Sequence, residues 1–361
     1  MMILVKIKLI AWAVCGGNSH ARFLEGESPR GPTYLNPALI GGFGKIKTEA
    51  FSTLGSLNDK NNLNSLRYKL GSYLAGLIEA DGSFAIHDIN SKAKKYAPKI
   101  VLVFSLNDSP LAEKLISILL VGKLYKKENQ GCIIWSIQNS EDVIKIINII
   151  NGYMRTPKIE ALHRAISWYN ENLNLKIKPL GLDLSPIDSN AWLAGFTDGD
   201  GNFSINLTDR KKKGIITLRS PATKRVQVFF RIELRQNYHR QASIDQGGTS
   251  YFTILDKVAR YLGVNLYSRS REQGDKIFYS FMVISHNLES HKKTIEYFER
   301  YPLYSSKYLA FKDWKYVVEQ IRLRGGKPLT AENTLEITKI KAQFNNKRKQ
   351  FDFSHLDSID N

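Results

Sequence analysis

The sequence predicts an α+β protein built from two copies of one unit, each reading helix–strand–strand–helix–strand–strand–helix. Three observations carry that expectation. A short apolar helix ending in acidic residues occurs twice, as Leu74-Ala75-Gly76-Leu77-Ile78-Glu79-Ala80-Asp81-Gly82 and as Leu193-Ala194-Gly195-Phe196-Thr197-Asp198-Gly199-Asp200-Gly201. The landmarks after each copy recur in the same order, as expected of a duplicated, pseudo-two-fold chain. Residues 227–235 alternate with the period of a half-buried strand: Val228, Phe230, Ile232 and Leu234 on one face, Gln227, Phe229, Arg231, Glu233 and Arg235 on the other.

In chain order, residues 1–62 show no sustained periodicity. Gly16-Gly17, Pro29, Pro32, Pro37 and Gly41-Gly42 mark them as an extension, and Asn61 to Ser65 offer caps for the first helix. The first repeat spans 63–170 and the second 189–323. Each motif helix runs into a strand-like stretch, Ser83-Phe84-Ala85-Ile86 or Asn202-Phe203-Ser204-Ile205. Leu120-Val121-Gly122-Lys123-Leu124-Tyr125 parallels Leu262-Gly263-Val264-Asn265-Leu266-Tyr267, and Ile133 to Ile137 parallels Phe278 to Val283. The turn Asn151 to Lys158 parallels Tyr301 to Lys307. Between the repeats, 171–188 holds Pro179, Gly181 and Pro186 and reads as a linker. Residues 324–361 read as a helix from Thr330 to Lys349, its last turn carrying Lys347, Arg348 and Lys349, then an acidic, frayed tail. In the second repeat, one apolar and one polar, basic strand face read as an antiparallel sheet with an open face, a platform suited to nucleic acid.

Bulk composition narrows the function. The chain has 361 residues, 43% of them hydrophobic, which is a globular composition with room for two cores. Lys+Arg number 52 against 34 Asp+Glu, a formal charge of +18, which points to a polyanionic partner. Cys15 and Cys132 suit neither a zinc site nor a disulfide framework and read as unpaired thiols. No stretch reaches the roughly 18 apolar residues of a membrane helix. Residues 1–17, with Lys6 and Lys8, superficially resemble a signal peptide, but the apolar run is short and secretion is not expected.

The repeated helix carries the chemistry. Gly76 and Ala80, like Gly195 and Gly199, stand at i and i+4, so each helix presents a strip of small residues on one face. Glycine inside a helix costs roughly 1 kcal/mol relative to alanine, and a seam where two helices meet backbone to backbone explains it. Gly82 and Gly201 are placed to stop the helices with positive φ. Asp81 and Asp200 then sit at helix C-termini, where the dipole disfavours a carboxylate by roughly 0.3–1 kcal/mol. A divalent cation would offset that cost, and two hard oxygen ligands suit Mg²⁺ completed by water and phosphate. The natural two-fold substrate for such a pair is duplex nucleic acid. Glu79 and Asp198 lie on another helix face and read as capping or supporting groups.

These two segments resemble the motif of the LAGLIDADG homing endonucleases, which the first nearly spells, Glu79 being its one change. The resemblance covers most of residues 66–323 and is to the monomeric, two-motif, organellar intron-encoded branch. It implies two pseudo-symmetric αββαββα subdomains, antiparallel sheets forming a DNA-binding saddle, and the motif helices at the interface. It implies metal-dependent double-strand cleavage, with Asp81 and Asp200 as metal ligands for Mg²⁺, or Mn²⁺ or Ca²⁺ in the same sites. Lys158 and Lys307 match the family's basic residues beside the active site, and Asn107 and Gln236 its water-positioning residues.

Sequence specificity is then expected from sheet faces in the major groove. The candidates are Ser83, Ala85 and His87 in the first half, and Ser204, Asn206, Thr208, Arg219, Arg225, Gln227, Arg231, Glu233 and Arg235 in the second. Lys211-Lys212-Lys213 and Lys126-Lys127 read as phosphate contacts. Pro37 to Gly44 is similar to a stretch of cytochrome oxidase subunit one, as expected of an intron frame fused to its upstream exon in a mitochondrial genome. The second reading is an RNA maturase that assists splicing of a group I intron, with or without cleavage. A third is a DNA-binding regulator without catalysis. Retention of both acids favours the endonuclease.

Overall fold

The computed structural model describes residues 57–86, 97–209, 224–240 and 248–359. The first half runs α1 (Leu57–Asp81), β1 (Gly82–Ala85), β2 (Lys99–Ser105), α2 (Ser109–Leu119), β3 (Lys123–Lys127), β4 (Cys132–Ile137), α3 (Ser140–Ile150) and α4 (Ile159–Leu173). The second half repeats the order: α5 (Trp192–Asp200), β5 (Gly201–Asp209), β6 (Lys224–Arg235), α6 (Phe252–Leu262), β7 (Leu266–Gln273), β8 (Lys276–Ser285), α7 (Leu288–Arg300) and α8 (Lys307–Leu323). A last helix, α9 (Ala331–Ala342), follows. Each half is therefore the αββαββα unit with one more helix, because the turn that carries Lys158 or Lys307 separates two closing helices instead of ending one.

Both sheets are antiparallel and four-stranded, ordered β1-β2-β4-β3 and β5-β6-β8-β7. Registers match across the halves: Gly82 faces Leu102 and Gly201 faces Ile232, while Leu102 faces Trp135 and Ile232 faces Val283. Helices cover one face of each sheet and their apolar stripes make the core. In α3, Val143, Ile144, Ile146, Ile147, Ile149 and Ile150 are all buried. Phe203 of β5 sits in a ring cluster with Phe230, Phe298 and Trp314 at centroid distances of 5.1, 5.8 and 5.4 Å.

Several boundaries differ from expectation. The first helix reaches back to Leu57, into the segment read as extension. The last helix ends at Ala342, so Lys347 to Lys349 lie beyond it. The tail is docked rather than frayed: residues Ser354–Ile359 form a 3-10 helix with Leu356 and Ile359 buried. Neither motif helix stops through positive φ. Gly201 is extended at φ −78°, and both helices pass directly into a strand. Gly82 and Gly201 are needed for space, since a Cβ would lie 2.7 Å from the Ile78 carbonyl oxygen or 2.4 Å from Thr197 Cγ2. Cys132 is buried; the other cysteine, Cys15, lies outside the described residues. No described helix is long and apolar enough to cross a membrane.

Candidate active site and nucleic-acid face

The site is built on the seam between α1 and α5. A Cβ on Gly195 would stand 1.9 Å from the Tyr73 carbonyl oxygen, and one on Gly76 would stand 2.1 Å from that of Trp192. Gly199 closes the strip against Ala80, whose Cβ would be 2.3 Å away. The two backbones thus touch along the small-residue strips. The ends of both helices, with Asp81 and Asp200, come out together where the sheets begin.

The inner acids bind the halves to each other and to the turns before the closing helices. Glu79 is buried and accepts from the backbone N–H of Arg155 at 3.0 Å, from the N–H and hydroxyl of Thr156 at 2.6 Å each, and from Trp192 Nε1 of the other half at 2.5 Å. Asp198 repeats the pattern. It accepts from the Tyr304 N–H at 2.8 Å, the Ser305 hydroxyl at 2.5 Å and the Tyr73 hydroxyl of the other half at 2.7 Å. Burial raises both acids' pKa values against these hydrogen bonds, which pull them down.

Those turns place the two lysines. Thr156 and Ser305 hydroxyls accept the backbone N–H of Lys158 and Lys307 at 3.2 and 3.1 Å. The Lys158 ammonium then donates to the carbonyls of Ile78, Ala80 and Gly82 at 3.1, 3.4 and 2.9 Å. Lys307 donates to the Thr197 carbonyl at 3.1 Å and to that of Gly199. Each lysine thus caps the C-terminus of a motif helix, a favourable place for a cation.

The outer acids, Asp81 and Asp200, are different. Their surroundings act on them through burial and neighbouring charge. Burial raises the Asp81 carboxyl, Asp200 raises it further, and Lys307 and Lys158 pull it down. Burial likewise raises Asp200, opposed by Lys307, Lys158 and Arg235. Burial lowers the Lys158 ammonium, and Asp200, Glu79 and Asp81 resist that. Two half-buried carboxylates of like charge, not committed to capping, form a donor set that fits a hard divalent cation. Among the described residues no group of three or more His, Cys, Asp or Glu competes with it.

Asn107 is exposed in the turn after β2, and its N–H donates to the Ser105 hydroxyl at 3.3 Å. Gln236 follows β6, and its amide donates to the Ser268 hydroxyl at 2.8 Å. The matching registers make Asn237, not Gln236, the positional counterpart of Asn107. Sequence reading missed Asp108, whose carboxylate crosses the seam to accept the Ser306 N–H at 2.6 Å and which lies in the field of Asp198 and Lys307. It also missed Thr156, Ser305, Tyr73 and Trp192. A hydroxyl two residues before each lysine was the available signal.

The open face of the second sheet gathers its candidates. Ser204, Asn206 and Thr208 pair across β5 and β6 with Phe229, Gln227 and Arg225, and Arg231 and Arg235 continue that face. Glu233 is held there by Arg269 at 3.0 Å and by the Ser280 hydroxyl at 2.9 Å, with Arg271 at 3.7 Å. Arg269 and Arg271, on β7, were not anticipated. The first sheet differs: Val101, Val103, Cys132 and Ile134 on its corresponding face form a small buried apolar cluster. Ser83 and Ala85 sit half-buried on β1, and Lys126 and Lys127 are exposed on β3, Lys126 pairing with Glu128 at 3.1 Å. His87, Lys211, Lys212, Lys213 and Arg219 lie outside the described residues.

Comparison with known proteins agrees with this architecture. The sequence model of the family described as "LAGLIDADG endonuclease" matches residues 74–169 and 193–318. The chain is 40% identical over 347 residues to the "Intron-encoded DNA endonuclease aI3" of Saccharomyces cerevisiae, covering 89% of this chain and 81% of that one. It is 30% identical over 258 residues to an uncharacterized cox1 intron-2 37.2 kDa protein of Schizosaccharomyces pombe, covering 68% of this chain and 64% of that one. The crystal structure of the LAGLIDADG homing endonuclease I-GzeII in complex with its DNA target is similar at a TM-score of 0.54 and 20% identity, over 77% of this chain and 99% of that one. That of I-LtrWI bound to target DNA is similar at a TM-score of 0.53 and 21% identity, over 78% and 100%. With both repeats matched by the family's sequence model and a relative this similar across most of either chain, the protein belongs to the LAGLIDADG endonuclease family.

Proposed function

We propose that this chain is a site-specific endonuclease that acts as a monomer, cuts both strands of a long duplex DNA target, and serves the homing of a mitochondrial intron. One observation carries the reading: Glu79 and Asp198 are consumed by hydrogen bonds, while Asp81 and Asp200, at the ends of the same helices, are left to a ligand. The names of the yeast relatives, an intron-encoded DNA endonuclease and a cox1 intron protein, support it, as does the formal charge of +18.

Asp81 and Asp200 would hold Mg²⁺, which when bound lowers the pKa of water and neutralises charge on the scissile phosphate. The chain's own groups do the rest. The Lys158 ammonium directs three donors at helix carbonyls, so its part is to place positive charge beside the phosphate rather than to give up a proton. Lys307 directs two and keeps one N–H for a leaving oxygen. Asn107 and Gln236, at the strand ends, would orient water. Arg231, Arg235, Arg269 and Arg271 offer the planar fork that reads guanine in the major groove.

The test is metal-dependent cleavage of a plasmid library of intronless organellar gene junctions, beginning with cytochrome oxidase subunit one. A discrete double-strand cut is expected. Asp81→Asn and Asp200→Asn should keep DNA binding and lose double-strand cutting; full cutting by both would overturn the assignment. A second reading has one observation behind it: the chain is 29% identical over 147 residues to the "Intron-encoded RNA maturase bI4" of Saccharomyces cerevisiae, covering 40% of this chain and 20% of that one. No cut with Mg²⁺ or Mn²⁺, together with tight binding of the group I intron RNA, would establish that reading instead.

A further inference from the structure

Each half sends the segment after its closing helices back onto the turn that places its lysine. In the first half this is the linker. The Asp183 N–H donates to the Met154 carbonyl at 2.8 Å, and the buried Arg155 side chain is held by Asp183 at 2.7 Å and by the Ser185 carbonyl and hydroxyl at 2.8 Å each. In the second half it is the C-terminal tail. A ring N–H of His355 meets the Tyr304 carbonyl at 3.1 Å, and the ring stacks on Tyr308 at 4.0 Å. The Ser358 hydroxyl donates to the His355 carbonyl at 2.7 Å. Buried Leu356 and Ile359 anchor the segment, Arg348 pairs with Asp313 at 2.5 Å, and Asn345 donates to the Phe203 carbonyl at 2.9 Å.

The two segments share one pattern, Leu182 to Asp188 matching Phe351 to Asp357 as apolar-Asp-apolar-Ser-x-apolar-Asp, with the Ser185 N–H on Asp183 and the Ser354 N–H on Asp352 at 2.9 Å each, and they grip equivalent places. Matching Lys158 to Lys307 puts Arg155 opposite Tyr304 and Thr156 opposite Ser305. Tyr304 is clamped on both sides: its N–H is held by Asp198 and its carbonyl by His355, and Lys307 lies three residues on. Tyr308, under the His355 ring, is the residue next to Lys307.

We infer that the C-terminal tail, acting through His355, is the positioning element for Lys307, as the linker is for Lys158, so that each half's strand cleavage depends on a different return segment. The inference rests on the endonuclease reading above. A lysine that must hold its ammonium on two carbonyls tolerates little drift of its turn, and loss of such support costs about 10- to 100-fold in rate where groups are held for chemistry.

The experiment uses the full-length protein, a truncation after Lys349, His355→Ala and His355→Gln, with a cleaved junction duplex carrying a different fluorophore on each strand. The truncation and His355→Ala should slow one strand about 10-fold or more and leave the other near the full-length rate, so that nicked duplex accumulates. DNA affinity should be unchanged, and His355→Gln, which keeps a donor to the Tyr304 carbonyl, should recover part of the rate. Equal slowing of both strands, or unchanged rates, would overturn the inference. If the full-length protein cuts no duplex, the endonuclease reading fails instead. Amide hydrogen exchange on protein without DNA then decides the brace: truncation must raise exchange at residues 304–308 and not at 155–159.

Discussion

The Tyr73 hydroxyl donates across the seam to Asp198 at 2.7 Å, and Trp192 Nε1 donates in the opposite direction to Glu79 at 2.5 Å. Tyr73 and Trp192 each immediately precede a motif, so each half completes the carboxylate shell of the other. Tyr73→Phe and Trp192→Phe each leave a buried acid short of a donor. Each should cost about 1–3 kcal/mol in denaturant unfolding, with Trp192→Phe the worse because it also removes buried volume. Unchanged midpoints would mean the contacts contribute nothing net.

Gly195→Ala tests the seam itself. Its methyl would lie 1.9 Å from the Tyr73 carbonyl oxygen, a backbone atom that cannot swing away. The helices must part, at an expected loss of about 3 kcal/mol or more, read as a lowered melting temperature or failure to express in soluble form. Gly181→Ala, with open space around it, is the control.

Burial raises both outer carboxyls above their unfolded values, and the charge of Asp200 raises Asp81 further. In the metal-free protein, a carboxyl raised in the folded state makes that state hold its proton longer than the unfolded chain does. Stability is then greatest at low pH and is lost as pH rises from the unfolded pKa through the folded one. A divalent cation replaces the proton. Ca²⁺ should therefore raise the melting temperature at pH 8, by about 5 °C at a hundred-fold excess over its Kd, and by much less at pH 5. Asp81→Asn should stabilise the metal-free protein at pH 8 and shrink the Ca²⁺ shift. A shift independent of pH would argue against these carboxyls as the site.

The difference between the two sheets predicts uneven readout. Arg269→Ala removes a group set beside Glu233 on β7, and it should weaken the specific target by about 1–3 kcal/mol while sparing random duplex. Lys127→Ala, on an exposed strand, should weaken all sequences alike and reduce the salt slope by about 1. These are read by titrating target and random duplexes at several salt concentrations.

The motif helices were legible because each glycine marks a close approach, and the approaches repeat at matching places. Strand β6 was legible because its alternation has the period of a strand with one buried face. The first sheet was not. In β2, Ile100 to Phe104 is a continuous apolar run, which carries no information about faces, and the burial of Val101 and Val103 shows only in three dimensions. Strand β7, with Arg269 and Arg271, has few apolar residues to set a period. Glu79 and Asp198 read correctly as supporting groups, but their partners come from distant turns and from the opposite half, which local spacing does not reveal. Gln236 was placed one residue from the counterpart of Asn107 because hairpin register, rather than sequence order, aligns the two strand ends.

The crossed pairs are also matched in reach. An indole N–H stands closer to its backbone than a phenol hydroxyl, and here the indole meets the longer acid, Glu79, while the phenol meets the shorter one, Asp198. Two copies of the first half would set tyrosine against glutamate, too long together. Two copies of the second would set tryptophan against aspartate, too short to touch. The halves are therefore a lock cut for one another. A chimaera that borrows one half from a related protein must bring its matching aromatic or acid along, and recombination between such genes should succeed mainly where both members of each pair travel together or are exchanged in kind.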